Sequence, residues 1–239
     1  MTESDEQAQA FANGVFYCLP HNGEWVPEGM PSAIIPSQRY PILPTLNRSS
    51  FLPHSFNMLW AAALNRPTRP HHWAMHHADM SAEPGWFDVL LDIMREHDAD
   101  VVSCVAAIKD NAGDTNAAVV TGGTVGGAGP MQLRRLKVAE CDKLPDVFDS
   151  SHVGGSLLVN TGLWVVRFDR PWAEEFPGFV FSNKIVKLPD GKYEAQCMSE
   201  DWAFSLWAHT RGLKVLATTR VQTLHFGQRA WKVGGPRGA

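Results

Sequence analysis

Three short stretches of this chain carry side chains able to hold a cation or move a proton: His77-Ala78-Asp79, Glu200-Asp201 and His225. Asp79 is predicted to sit on a strand-end turn, where a carboxylate can present its oxygens to a divalent cation. Open α/β sheets bind ligands at that same edge. Glu200 and Asp201 follow Ser199, a residue type that caps helices, and acidic side chains in a first turn complement the helix dipole. Alternatively, one of the two projects into a cleft and acts as general base. His225, in Leu224-His225-Phe226-Gly227, gains a chemical role only if another segment brings it an aspartate. Four histidines, His71, His72, His76 and His77, crowd into Pro70–Met80, and most are expected to pack or face water.

The segments that must position these residues alternate between two periodicities. Gly14–Leu19 is a short apolar strand that stops at the turn Pro20-His21-Asn22-Gly23. Seven prolines between Pro20 and Pro53 predict an extended, surface-hugging segment. Phe56, Leu59, Trp60, Ala63 and Leu64 then recur at helical spacing, ending before Arg66-Pro67. Trp73–His76 reads as a strand, Gly85–His97 as a helix and Val101–Ile108 as a run apolar enough for a central strand. Leu157–Arg167 forms two apolar stretches around Asn160-Thr161-Gly162. Glu200 to about Arg211 is a helix stopped by Gly212, and Lys214–Thr218 and Val221–Leu224 close as strands. The alternation predicts one α/β domain over residues 14–230, with flexible ends at 1–13 and 231–239. The glycine-rich run Thr121–Pro130 fits no Walker loop and reads as a surface loop, with a lid over a ligand as its functional alternative.

Composition narrows the classes. The chain has 239 residues, 44% of them hydrophobic, and a net charge of −4. That is ample for a core and excludes wholesale disorder. No run approaches the roughly 18 apolar residues of a membrane span, and the acidic opening Met1–Glu6 is unlike a secretion signal, so a cytoplasmic protein is expected. The acidic balance excludes coating nucleic acid by bulk charge, though it permits a local basic groove. Cys18, Cys104, Cys141 and Cys197 are too scattered for a zinc site or a disulfide framework and read as reduced, structural thiols. Ten histidines and nine tryptophans are the unusual entries in the composition.

Taken in order, these pieces resemble the GT-A glycosyltransferases, and in particular a branch found in bacteria and tailed phages. The resemblance is carried by Phe56-Asn57-Met58-Leu59-Trp60, Met75-His76-His77-Ala78-Asp79-Met80, Asp100-Val101-Val102-Ser103 with Ile108-Lys109-Asp110, Asn160-Thr161-Gly162-Leu163-Trp164 and Ser199-Glu200-Asp201-Trp202. It spans roughly Val15 to His225. It implies a mixed, mostly parallel central sheet flanked by helices, and metal-dependent transfer of a sugar from a nucleotide-sugar donor, UDP-linked, to a hydroxyl acceptor. A phage-like enzyme would act in the host cytoplasm.

The resemblance also implies roles residue by residue. Asp79 and His225 hold a divalent cation, Mn²⁺ or Mg²⁺, that neutralises the departing diphosphate. The usual D-x-D element is altered here, with His77 in its first position, where family members contact ribose or metal. Leu19-Pro20-His21-Asn22 borders the base, and Asn57, His77, Ala78 and Asp79 complete the donor side. Asp201 is the base if configuration inverts, with Glu200 beside it for hydroxyls, while Asn160 and Trp202 face the acceptor. The acceptor is a saccharide or a hydroxymethylated DNA base. For DNA, Arg134-Arg135-Leu136-Lys137 and Arg220, Arg229 and Lys232 supply local positive charge.

Two other readings use the same residues. His77, Asp79 and His225 also spell the two-histidine, one-carboxylate triad of Fe(II)/2-oxoglutarate oxygenases. Those enzymes build the triad on a jelly roll, whereas helices Gly85–His97 and Glu200–Arg211 lie within this span. The altered D-x-D element also fits a nucleotide-sugar-binding protein without activity.

Overall fold

A computed structural model describes residues 14–21, 26–109, 112–122, 131–187, 190–227 and 230–233. The first strands are β1 (Val15–His21), β2 (Ile42–Arg48), β3 (His72–His76), β4 (Met80–Ala82) and β5 (Val101–Cys104). They are followed by β6 (Asp114–Gly122), β7 (Gln132–Lys137), β8 (Val147–Phe148), β9 (Leu157–Leu158) and β10 (Leu163–Arg167). The last are β11 (Ser182–Lys187), β12 (Tyr193–Met198), β13 (Val215–Thr218), β14 (Thr223–Phe226) and β15 (Ala230–Val233). Three helices exceed two turns: α1 (Leu52–Leu64), α2 (Trp86–His97) and α3 (Glu200–Thr210).

The main sheet runs β2–β1–β3–β10–β5–β13–β8. β2, β1, β3, β5 and β13 point one way; β10 and β8 run against them. Most strands therefore share a direction while half of the neighbour pairs are antiparallel, and the sheet is mixed.

Strand alternation explains why both faces are covered. Phe16 and Cys18 of β1, with Trp164 and Val166 of β10, face a cluster that includes Phe56, Leu59, Trp60 and Ala63 of α1 and Phe204 and Ala208 of α3. Val15, Tyr17 and Leu19, with Leu163 and Val165, face the other cluster, where Trp86, Phe87, Leu90, Ile93 and Met94 of α2 pack. Trp60, Trp73, Trp164 and Trp172 are buried in the first cluster. Trp60 touches Trp73, Phe168, Phe176 and Phe179 edge-on and donates its indole N–H to the Ala173 carbonyl at 3.0 Å.

Several elements differ from the sequence reading. The proline-rich segment is not extended throughout: Met30–Ile34 forms a short helix, while the extended Ile42–Arg48 pairs in parallel with β1. Pro44 is tolerated since β2 is an edge strand with one unbonded side. Helix α1 begins at Leu52, earlier than its apolar stripe, with Pro53 in its first turn, where no N–H partner is missed. The run from Val101 leaves the sheet after Cys104. β14 starts two residues later than expected, so His225 lies inside it. Ala230–Val233 pairs with β14. Residues 1–13, 234–239, Asn22 and most of the glycine-rich run lie outside the described residues.

Among the described residues all four cysteines are free, and only Cys197 is exposed. None of their helices is long and apolar enough to cross a membrane.

Candidate functional site

The chain leaves the sheet at the end of β3 through a tight turn. The His77 N–H donates to the Gly162 carbonyl at 2.8 Å, and Met80 N–H closes the turn on the His77 carbonyl at 3.1 Å. β4 then pairs antiparallel with β14, setting Met80 opposite His225. The Phe226 N–H donates to the Asp79 carbonyl at 2.8 Å, so these two distant segments are locked side by side. Thr223 Oγ1 and His225 Nδ1 donate to the carbonyls of Val105 and Ala107 at 2.9 and 3.0 Å, which binds β14 to the chain leaving β5.

That scaffold assembles a small polar centre. His225 Nε2 lies 3.5 Å from Asp79 Oδ2, and the Lys109 ammonium donates to the same oxygen. Burial works to raise the pKa of Asp79, but His225, His77 and Lys109 outweigh it and hold the carboxyl well below the usual range. Because Nδ1–H is committed to a carbonyl, a neutral His225 ring turns its Nε2 lone pair toward Asp79. Two acceptors then face each other, an arrangement that a cation between them resolves. Among the described residues no group of three or more His, Cys, Asp or Glu side chains forms a ligand set. Asp79 and His225 thus offer two ligand-type side chains, and a cation held between them would take its other ligands from outside the protein.

A cleft of about 520 Å³ opens beside this centre, within the size range of small-molecule sites. Pro20 and His21 line it from the end of β1 and His77, Ala78 and Asp79 from the turn after β3, all of them expected from sequence. Ser49, Ser50, Leu52 and Lys109 also line it and were not foreseen as site residues. Ser49-Ser50 sits between a strand and a helix, the usual place for ligand contacts in α/β sheets; β2 had to be recognised before that signal was visible.

His77 turns away from the cation centre. Its Nε2 lies 3.2 Å from Met75 Sδ and 3.5 Å from Thr161 Oγ1, and the ring packs on Phe56. Burial lowers its pKa to about 4, so the ring is neutral. The triad His77, Asp79 and His225 thus does not assemble as a ligand set, and the helix-flanked mixed sheet is no jelly roll. His76 is buried beside Ser32. Ser32 Oγ donates to the Gly29 carbonyl and so accepts from His76 Nε2 at 2.9 Å, the reverse of what an activated serine needs.

A second polar group forms at the start of α3. Asp201 Oδ2 accepts from Asn160 Nδ2 at 2.6 Å, while Oδ1 accepts from the Ser199 hydroxyl and from the Trp202 N–H at 2.7 Å. Ser199 occupies the cap position, yet its hydroxyl serves Asp201 rather than the helix end. Asn160 Oδ1 accepts from the Gly162 N–H at 2.7 Å, and Gly162 accepts from His77. A continuous chain of bonds thus runs from Asp201 to the turn that carries Asp79. Gly162 is required there: a Cβ would meet Met80 Sδ at 2.2 Å and Asn160 Oδ1 at 2.7 Å.

Glu200 is the contrasting neighbour. It is 9% exposed, and its carboxylate has no side-chain partner among the described residues. Burial, reinforced by Asp201, raises its pKa to about 7.

Three expected contacts take other forms. Asn57 is bonded to the backbone: its amide donates to the Phe179 carbonyl at 2.9 Å and accepts from the Phe179 N–H at 2.7 Å. Gly178, at φ +106°, allows this approach, since a Cβ would meet Asn57 Oδ1 at 2.9 Å. Asn57→Ala is expected to lower stability by about 1–3 kcal/mol in chemical denaturation while leaving ligand affinity within twofold. Trp202 packs with Leu206 against Ala118, Val120 and Leu158, and the Arg135 guanidinium covers its ring at 4.6 Å. The basic cluster is largely engaged: Arg134 pairs with Glu140 and Lys137 with Asp114, and Arg220 pairs with Glu96. Arg229 lies outside the described residues, as does the side chain of Lys232.

No protein-family model matches the chain, and no curated protein matches its sequence. Its fold is similar to the crystal structure of A197 from STIV, with a TM-score of 0.56 and 12% sequence identity, over 95% of this chain and 96% of that one. The likeness is one of fold: a mixed α/β architecture with a large central sheet flanked by helices, common to both chains along nearly their whole length.

Proposed function

We propose that this chain is a GT-A-type glycosyltransferase that moves a sugar from a UDP-linked donor to a hydroxyl acceptor. The observation that carries the reading is the convergence of Asp79, His225 and Lys109 on the wall of a ligand-sized cleft. Its position at the C-terminal ends of β1 and β3, in a helix-flanked mixed sheet, supports the same reading. A nucleotide-sugar donor leaves as a diphosphate, and its site must meet developing negative charge.

Asp79 and His225 are the residues that would hold a Mn²⁺ or Mg²⁺ ion. Such an ion, when bound, offsets the charge of the leaving diphosphate. Pro20, His21, Ser49 and Ser50 wall the part of the cleft suited to the nucleoside; the Ser49 hydroxyl is bonded to the Phe51 backbone, which leaves that of Ser50 for a ligand. On the acceptor side the roles of the acidic pair divide according to their hydrogen bonds. Asp201 has both oxygens engaged and positions Asn160 and the 160–162 turn. Glu200, without a side-chain partner among the described residues and with a pKa of about 7, is suited to take a proton at neutral pH. In an inverting transfer the acceptor oxygen bonds to the anomeric carbon as the bond from that carbon to the diphosphate oxygen breaks. The hydroxyl proton passes to Glu200. In a retaining transfer Glu200 instead stabilises an oxocarbenium-like state.

Thermal shift and nucleotide release test the reading together. UDP is expected to raise the melting temperature in Mn²⁺ and to do so much less in EDTA. UDP should be released from one of a panel of UDP-sugars when hydroxymethylated DNA or a saccharide is supplied, and release only with a saccharide would remove DNA as acceptor. Stabilisation by 2-oxoglutarate with Fe²⁺, but not by UDP, would sink the transferase. Donor binding that never leads to release would instead identify a silent binding protein.

A further inference from the structure

Lys109 stands where a cation is wanted. Its ammonium donates to Asp79 Oδ2, the oxygen that also faces His225 Nε2, and its side chain lines the cleft. The carboxylate cannot give the same lone pairs to an ammonium and to a divalent ion, and two cations at that range repel strongly. Lys109 also differs from its neighbours in freedom. His225 is fixed at Nδ1 by the Ala107 carbonyl, and Asp79 is fixed through its own carbonyl by the Phe226 N–H. Lys109 has four rotatable side-chain bonds and is one-third exposed, so it can swing away without moving the backbone that holds the other two.

We propose that Lys109 is a tethered stand-in cation. It neutralises Asp79 in the empty cleft, is displaced when a divalent ion takes its place between Asp79 and His225, and then meets the negatively charged diphosphate of the donor. The exchange rests on the transferase reading for its second half only; the first half concerns the cation alone. It gives the cleft positive charge in both states, so the half-buried Asp79 carboxylate always has a cation beside it. It also couples cation and nucleotide binding, because the ion releases the side chain that the diphosphate uses.

Lys109→Met keeps the length of the side chain and removes its charge, and Lys109→Arg keeps the charge. Mn²⁺ binding without nucleotide, measured by electron paramagnetic resonance of the free ion, is expected to tighten about tenfold in Lys109→Met because its competitor is gone. UDP binding in saturating Mn²⁺, measured by calorimetry, is expected to weaken about tenfold in the same variant. Lys109→Arg should follow the wild type in both. A structural role for Lys109 would weaken both affinities together, and that result overturns the proposal. Unchanged Mn²⁺ affinity in Lys109→Met also overturns it, while leaving the transferase reading standing. Mn²⁺ binding that tightens as expected in a protein with no affinity for UDP or UDP-sugars supports the displacement and overturns the transferase reading and the diphosphate half of the proposal.

Discussion

Replacing Asp79 by Asn is expected to cut sugar transfer by about a thousandfold, near 4 kcal/mol of barrier. The amide keeps the shape of the side chain but has no charge for a cation and no strong acceptor for Lys109. In the native protein those partners, together with His77, hold the Asp79 carboxyl well below the usual range in spite of burial, so the carboxylate is charged at every working pH. The side chain is 40% exposed, so the loss should appear in turnover and Mn²⁺ affinity with little change in melting temperature. Nucleotide release by Asp79→Asn at saturating donor and Mn²⁺, within tenfold of the native rate, would falsify the role given to this residue.

Glu200→Gln is expected to lower the rate of transfer by about 10²–10⁴-fold in an inverting reaction. A base works deprotonated, so the native rate should climb with pH through about 7 and then level, and Glu200→Gln should lose that limb. Asp201→Asn supplies the contrast. It faces Asn160 Nδ2 with a second donor where an acceptor stood, so it should lose stability as well as rate, and its residual activity should keep the pH limb. A limb that vanishes in Asp201→Asn and persists in Glu200→Gln would return the base to Asp201.

Stability gives an independent check with a definite sign. The folded pKa of Glu200, about 7, lies above its ordinary value of 4.5, because burial favours the neutral acid. Its contribution is therefore complete below about pH 4.5 and is lost as pH rises through about 7. Denaturation curves of the native protein and Glu200→Gln, compared from pH 4 to 8, should diverge in that window.

Features that depend on neighbours in the chain were legible early. The apolar stripe of α2, the unbroken apolar run that lets β1 be covered on both faces, and the turn after β3 follow from residues a few positions apart. The positions of Asp79, Glu200 and His225 near element ends belong to the same class of signal. Local pattern was less useful where prolines or polar residues hid a strand. Pro44 concealed β2 and, with it, the serines at its end. The hairpin of β11 and β12 carries exposed residues on both strands and so has no apolar alternation to betray it.

What the sequence by itself determined is the inventory: a helix-flanked α/β sheet, and carboxylates and a histidine placed at its loop edge. The tertiary structure decided which of them meet. Residue type makes Asn57 a candidate ligand contact, and the fold sets both ends of its amide on Phe179, 122 residues away. Asp201 looked like the available carboxylate until Asn160 and Ser199 filled its oxygens, leaving Glu200 without a side-chain partner among the described residues. Lys109 was one residue within a resembling stretch until the fold laid it on Asp79. The reason is common to all three. Residue type sets what a polar group can bond, but burial makes it bond to whatever the packing brings within about 3 Å, and only strand pairing and core packing bring distant segments that close.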